Sequence, residues 1–123
     1  MIKSIGTVAV YVDDQAKALD FWVNKVGFVK KADNDMENGF RWIEVAPKDA
    51  QSALVIYPKQ LMPIWNELKA SIMFECSDLA KVCELLKSNG VELTREPQQM
   101  TWGVFASFKD DDGNEFLLKE QTS

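Results

Sequence analysis

Two glutamates are the residues best placed by type and spacing to do chemistry. Glu44 lies in FRWIEVA and Glu75 in IMFECS, each at the centre of a strand-like alternation beside large apolar neighbours. A carboxylate partly buried among Trp42, Met73 and Phe105 would have a raised pKa, fit to serve as a base or to pair with a cationic ligand. The competing reading makes each a solvated strand residue, salt-bridged to Lys119 or Arg41. Tyr11, Trp42, Tyr57 and Phe105 could clamp a planar ligand, because offset and edge contacts between rings add affinity beyond buried area. They could equally fill a subunit interface. Ser107 and Met73 share their alternation, and Trp102 begins a strand after a loop, where it would line an entrance or anchor that loop. The chain has no histidine, so it lacks the commonest general base at neutral pH. Cys76 and Cys83 fall at apolar positions and read as buried thiols, not a disulfide or a metal pair.

The elements that must carry these residues are written twice. VDDQAKALDFWVNKVGF from Val12 aligns with CSDLAKVCELLKSNGVE from Cys76, pairing Asp14 with Asp78, Ala16 with Ala80, Lys17 with Lys81 and Leu19 with Cys83. Gly27 and Gly90 fall at the two ends, one residue out of step. Each segment reads as a helix with an Asp cap at its start and a Gly able to take the left-handed conformation at its end. Leu19, Trp22, Val23 and Val26 form the expected inner stripe of the first, and Leu79, Val82, Cys83 and Leu86 that of the second. One strand precedes each helix and three follow: 5–12, 28–33, 40–46 and 53–57, then 71–76, 91–95, 104–109 and 115–119. Pro58 and Pro63 interrupt the segment between the halves, where 64–68 reads as a short helical turn and Trp65 as a lid or subunit contact. The result is a β-α-β-β-β unit, repeated: module one about 1–57, linker about 58–70, module two about 71–120, together an α+β fold.

Period-two alternation separates the faces of each sheet. Val8, Val10, Val12, Leu54 and Ile56, with Ile72, Phe74, Phe116 and Leu118, form the apolar set expected under the helices. The opposite face is mixed: Thr7, Ala9, Tyr11, Phe40, Trp42, Glu44, Val55 and Tyr57, then Ser71, Met73, Glu75, Phe105, Ser107, Glu115, Leu117 and Lys119. A mixed face without a helix over it is where a ligand or partner would sit.

VYVDDQAKALDFW…VGF, FECSDLAKVCELLKSNGVEL and WGVFASFKDDDGNEFLL resemble the glyoxalase / bleomycin-resistance / extradiol dioxygenase superfamily, the vicinal oxygen chelate proteins, over essentially the whole chain. The most specific piece is Asp110-Asp111-Asp112-Gly113-Asn114 after Trp102-Gly103, similar to the family's WG…F.DPDGN ending, with Asp111 where proline is usual. The resemblance implies two half-cups pairing to form a cleft. In metal-dependent members it also implies ligands at the positions that are Thr7, Val55, Ser71 and Leu117 here. None of the four is a histidine or carboxylate, and zinc, nickel or iron(II) needs such donors to replace lost hydration. The expected metal and cofactor complement is therefore none, and no residue is assigned as catalytic. Without the metal, the family's enolate-stabilising and oxygen-activating chemistries lose their electrophile.

Net charge is −5 with no basic stripe, which disfavours nucleic acid as a partner. No apolar run reaches the roughly 18 residues of a membrane span, and MIKSIGTVAV lacks the pattern of a signal peptide, so the expected location is the cytoplasm. The resemblance implies a metal-free, drug-sequestering type of protein that binds a small organic molecule, usually as a homodimer, and the carboxylates interleaved with aromatic residues favour a cationic or aromatic one. An enzyme using Glu44 or Glu75 as base, or a protein-interaction module, are the alternatives. Purified protein is expected to carry no stoichiometric transition metal. Elemental analysis finding about one zinc, nickel, manganese or iron per chain would contradict this, and would require a ligand set drawn from the carboxylates or thiols.

Overall fold

The computed structural model describes residues 1–121. Contacts divide the chain into two compact units, one ending at Ala70 and one starting at Ser71. In the first unit, β1 (Thr7–Val12) leads into α1 (Gln15–Asp20), which widens into a π-helical turn over Phe21–Val26. Three strands follow, β2 (Val29–Asp35), β3 (Arg41–Ala46) and β4 (Ala53–Pro58), and then two 3-10 turns, Lys59–Leu61 and Trp65–Glu67. The sheet order is β1-β4-β3-β2, with β1 and β4 parallel and the other neighbours antiparallel. The second unit repeats this plan with β5 (Met73–Cys76), α2 (Leu79–Ser88), β6 (Glu92–Met100), β7 (Gly103–Lys109) and β8 (Glu115–Glu120), in the order β5-β8-β7-β6. This is an α+β fold of tandem βαβββ modules.

Both helices start as the aspartates dictate. The Asp14 carboxylate accepts from the Lys17 N–H at 3.1 Å, and Asp78 does the same for Lys81 at 3.2 Å, each satisfying one of the donors a helix start leaves open. Gly27 closes the first helix at φ 95°, a conformation costly to any residue with a Cβ. The inner stripe of α1 is one residue away from the expected one. Trp22 is buried as expected, but together with Ala18 and Phe21 rather than with Leu19, Val23 and Val26, which are half-buried. Both stripes have helical spacing. Capping and the widened turn decide which of them meets the sheet, and neither is visible in hydrophobic periodicity. In α2 the buried residues are Leu79, Cys83 and Leu86, with Val82 half-buried.

Val10, Val12, Leu54, Ile56, Phe116 and Leu118 are buried as the alternation requires. Val8, Ile72 and Phe74 are only half-buried: Val8 and Phe74 lie on β1 and β5, the edge strands of their sheets, and Ile72 just precedes β5. Cys76 is likewise half-buried beside the buried Cys83; both thiols are free, and burial pushes both above the ordinary thiol pKa, which makes them poor nucleophiles.

Strand ends also shift. β1 begins at Thr7 instead of residue 5, and β5 at Met73 instead of Ser71, although the Ile72 carbonyl still accepts from Leu117 N–H at 2.9 Å. β6 runs on to Met100, past Pro97. An edge strand tolerates a proline where its register slips, and here it slips between Arg95 and Gln98. The β7–β8 turn is held by Asp110, whose carboxylate accepts from Asp112 N–H (3.0 Å), Asn114 N–H (2.8 Å) and Asn114 Nδ2 (2.9 Å). Burial pushes this carboxyl above its ordinary pKa, and the Asn114 bonds pull against it.

Phe74, Phe108 and Phe116 stack in the second core, with ring centroids 5.4–6.4 Å apart. Phe108→Ala should cost about 3–5 kcal/mol by urea denaturation. Phe74→Ala should cost clearly less, since that ring is already partly in water. Equal costs would contradict the burial assigned to Phe74.

Candidate functional site

In the first unit the mixed face carries Tyr11 on β1, Tyr57 on β4, and Trp42 and Glu44 on β3. Alternation puts all four on one side of the sheet, and register sets them across it: Tyr11 faces Tyr57, and Glu44 faces Val55. The rings meet edge to face, Tyr11–Tyr57 at 6.0 Å and Trp42–Tyr57 at 6.3 Å between centroids. Edges donate partial positive charge to faces in such pairs, so the three rings form one half-buried platform. Trp42 Nε1–H donates to Glu44 Oε2 at 2.7 Å. This bond fixes both side chains at once and keeps the carboxylate at the platform's edge.

Arg41, the cation nearest in sequence, points elsewhere. Its guanidinium pairs with Asp33 across β2–β3, and Lys30 Nζ joins the same carboxylate at 3.0 Å. The Arg41 bond, then that of Lys30, holds the Asp33 carboxyl below its usual range. Arg41 is thus engaged by Asp33 rather than by Glu44.

The remaining residues singled out from sequence belong to the second unit. Met73 (46% exposed) and Glu75 lie on β5, Phe105 and Ser107 on β7, and Glu75 faces Lys119 in register. Lys119 Nζ sits 5.9 Å from the Phe105 ring centroid, within cation–π range. Ser107 is only 2% exposed and shares a 2.6 Å hydroxyl contact with Thr94. It is a β6–β7 cross-strand bond, not an open polar group. Trp102, at the tip of the β6–β7 hairpin, is 80% exposed. Trp65 is half-buried under Lys59 Nζ, 4.2 Å from its ring centroid.

The positions where the resemblance implies metal ligands are Thr7, Val55, Ser71 and Leu117. They offer two hydroxyls and two hydrocarbons, a set that does not fit a divalent transition metal. Val55 is itself 3% exposed. Among the described residues, no three His, Cys, Asp or Glu gather as a ligand cluster. A separate open groove of about 350 Å³ runs beside α1, lined by Ala16, Leu19, Asp20, Val23, Asn24 and Lys30. Its polar rim is already engaged: Asn24 Nδ2 donates to Asp20 at 2.6 Å, and Lys30 pairs with Asp33.

One residue escaped sequence reasoning. Gln15 aligns with the buried Leu79 of the second module and carries no motif, yet its side-chain amide binds backbone of both β3 and β4.

The chain is 58% identical over 120 residues to the uncharacterized protein YetH of Bacillus subtilis (strain 168), across 98% of this chain and 100% of the relative. Among solved structures, a glyoxalase/bleomycin resistance protein/dioxygenase superfamily member from Sphaerobacter thermophilus DSM 20745 superposes with a TM-score of 0.88 at 32% identity, covering 98% of each chain. TnmS3, an antibiotic binding protein from Streptomyces sp. CB03234, gives 0.87 at 33% identity with the same coverage. The family model for the Glyoxalase/Bleomycin resistance protein/Dioxygenase superfamily matches residues 4–118, and the chain belongs to that superfamily.

Proposed function

We propose that this protein binds a small planar organic molecule on the aromatic platform of Tyr11, Trp42 and Tyr57, and holds it without converting it. The carrying observation is the Trp42–Glu44 hydrogen bond on that platform. It leaves Glu44 Oε1 for a ligand and sets a negative charge beside the Trp42 edge of the platform. Ring quadrupoles attract a cation, and a carboxylate shielded from water needs a donor opposite it. The preferred ligand is therefore a flat molecule with a positive charge or several N–H groups. Similarity to the antibiotic-binding TnmS3 supports sequestration as the role, and Thr7, Val55, Ser71 and Leu117 offer a metal no donor set. A separate ligand surface is proposed on the second unit, formed by Met73, Glu75, Phe105 and Lys119, with Trp102 at its hairpin tip. Ser107, tied to Thr94, would contribute shape only. In this reading the protein acts in the cytoplasm as a homodimer.

A thermal-shift panel of cationic and anionic aromatic molecules tests the ligand class, with calorimetry on the best binder. Trp42→Ala should weaken binding about tenfold or more, the scale of a lost aromatic contact plus its buried area. Glu44→Gln keeps an acceptor for the indole and removes the charge, so it should lower affinity for cations and spare neutral ligands. Stabilisation by anions alone, or unchanged affinity in both variants, would defeat the assignment, and turnover surviving a chelator would favour an enzyme with a carboxylate base. Analytical ultracentrifugation at micromolar concentration should find a dimer, consistent with an interface above about 1,000 Å²; a monomer would remove the homodimer from the account.

A further inference from the structure

We propose that Gln15 is the positioning residue of the aromatic platform, its side-chain amide standing in for a missing strand residue; the proposal rests on the reading of Tyr11, Trp42 and Tyr57 as a ligand platform. The β3–β4 ladder pairs Val45 with Leu54, Glu44 with Val55 and Ile43 with Ile56, and stops there. Continued by two residues, the same register would set Arg41 opposite Pro58. Proline has no N–H to give, so the Arg41 carbonyl would lose its ladder donor.

Gln15, the first residue of α1, fills that place. Its Nε2 donates to the Arg41 carbonyl at 2.6 Å and to the Ile56 carbonyl at 2.9 Å, and its Oε1 accepts from Arg41 N–H at 3.1 Å. The Arg41 pair is the two-way exchange that a facing strand residue would make. The third bond ties the same amide to β4.

The two residues so clamped immediately precede Trp42 and Tyr57. Those are the rings that meet at 6.3 Å, and Trp42 is the ring bonded to Glu44. Without the amide, the ends of β3 and β4 are free to part where the platform needs them at fixed separation. Leu79, at the equivalent position of the second module, cannot make these bonds. The device belongs to the first unit.

The test is the Trp42 indole N–H resonance in ¹H–¹⁵N spectra of the whole chain, assigned by its loss in Trp42→Phe. Gln15→Met removes all three bonds at similar volume. It should shift or broaden the Trp42 signal while leaving that of the buried Trp22 in place, and should weaken binding of proflavine, a planar cation, about fivefold or more. Gln15→Glu, which loses both donors but remains hydrophilic, should give the same pattern if the methionine variant does not fold. Ser52→Ala is the control, since the Ser52 hydroxyl bonds Ile5 at the far end of the same sheet. It should move neither readout, whatever it does to thermal stability. An unmoved Trp42 signal in the Gln15 variants overturns the proposal. If the wild-type chain binds no proflavine, the ligand reading has failed for that probe, and the indole resonance alone decides the role of Gln15.

Discussion

A four-stranded sheet has two faces, and each unit of this chain has a single helix to lay on them. The face under the helix is settled by hydrophobic burial: Val12, Val45 and Ile56 are fully enclosed, each worth about 1.5–3 kcal/mol of transfer free energy. The other face is under a different constraint. It has to be rich enough in apolar area to gain from contact and polar enough to remain in water. Tyr11, Trp42 and Tyr57 meet both demands, since each combines a large ring with a polar tip. The residues of interest thus follow from the count of elements before any catalytic argument is made.

What turns this surface into an organised platform is a small number of fixed bonds. Edge-to-face contacts link three strands, the Trp42–Glu44 bond holds one rotamer of each partner, and the Gln15 amide holds the backbone beneath. Preorganisation of this kind reduces the ordering cost that binding otherwise incurs. The chain has no histidine, and it carries hydrocarbon and hydroxyl side chains where the resemblance implies metal ligands. The same sheet face that could present metal ligands presents rings.

Much of the architecture is legible in the sequence because it rests on local chemistry. Asp14 and Asp78 announce helix starts, Gly27 and Gly90 their ends, and strict alternation around Trp42 and Phe105 gives strands and faces. The unread parts depend on contacts distant in sequence or on backbone irregularity. The α1 stripe turns on a π-helical widening, and β6 passes through Pro97 because it is an edge strand with a register slip. Ser107 is polar by type, yet it is spent on Thr94. Gln15 acts through residues 26 and 41 positions away, so no local pattern marks it. Its alignment with an apolar residue in the repeat was the available signal: a polar side chain where its twin is core has a backbone partner to find.

On the proposed reading, a ligand sits on the β1-β4-β3 face and not in the groove beside α1. Chemical-shift mapping with a planar aromatic cation measures this directly. The account predicts saturable perturbations concentrated at Tyr11, Trp42, Glu44 and Tyr57, with Leu19 and Val23 unmoved. Saturable perturbations centred on Leu19, Val23 and Asn24, with the Trp42 indole unchanged, would contradict it.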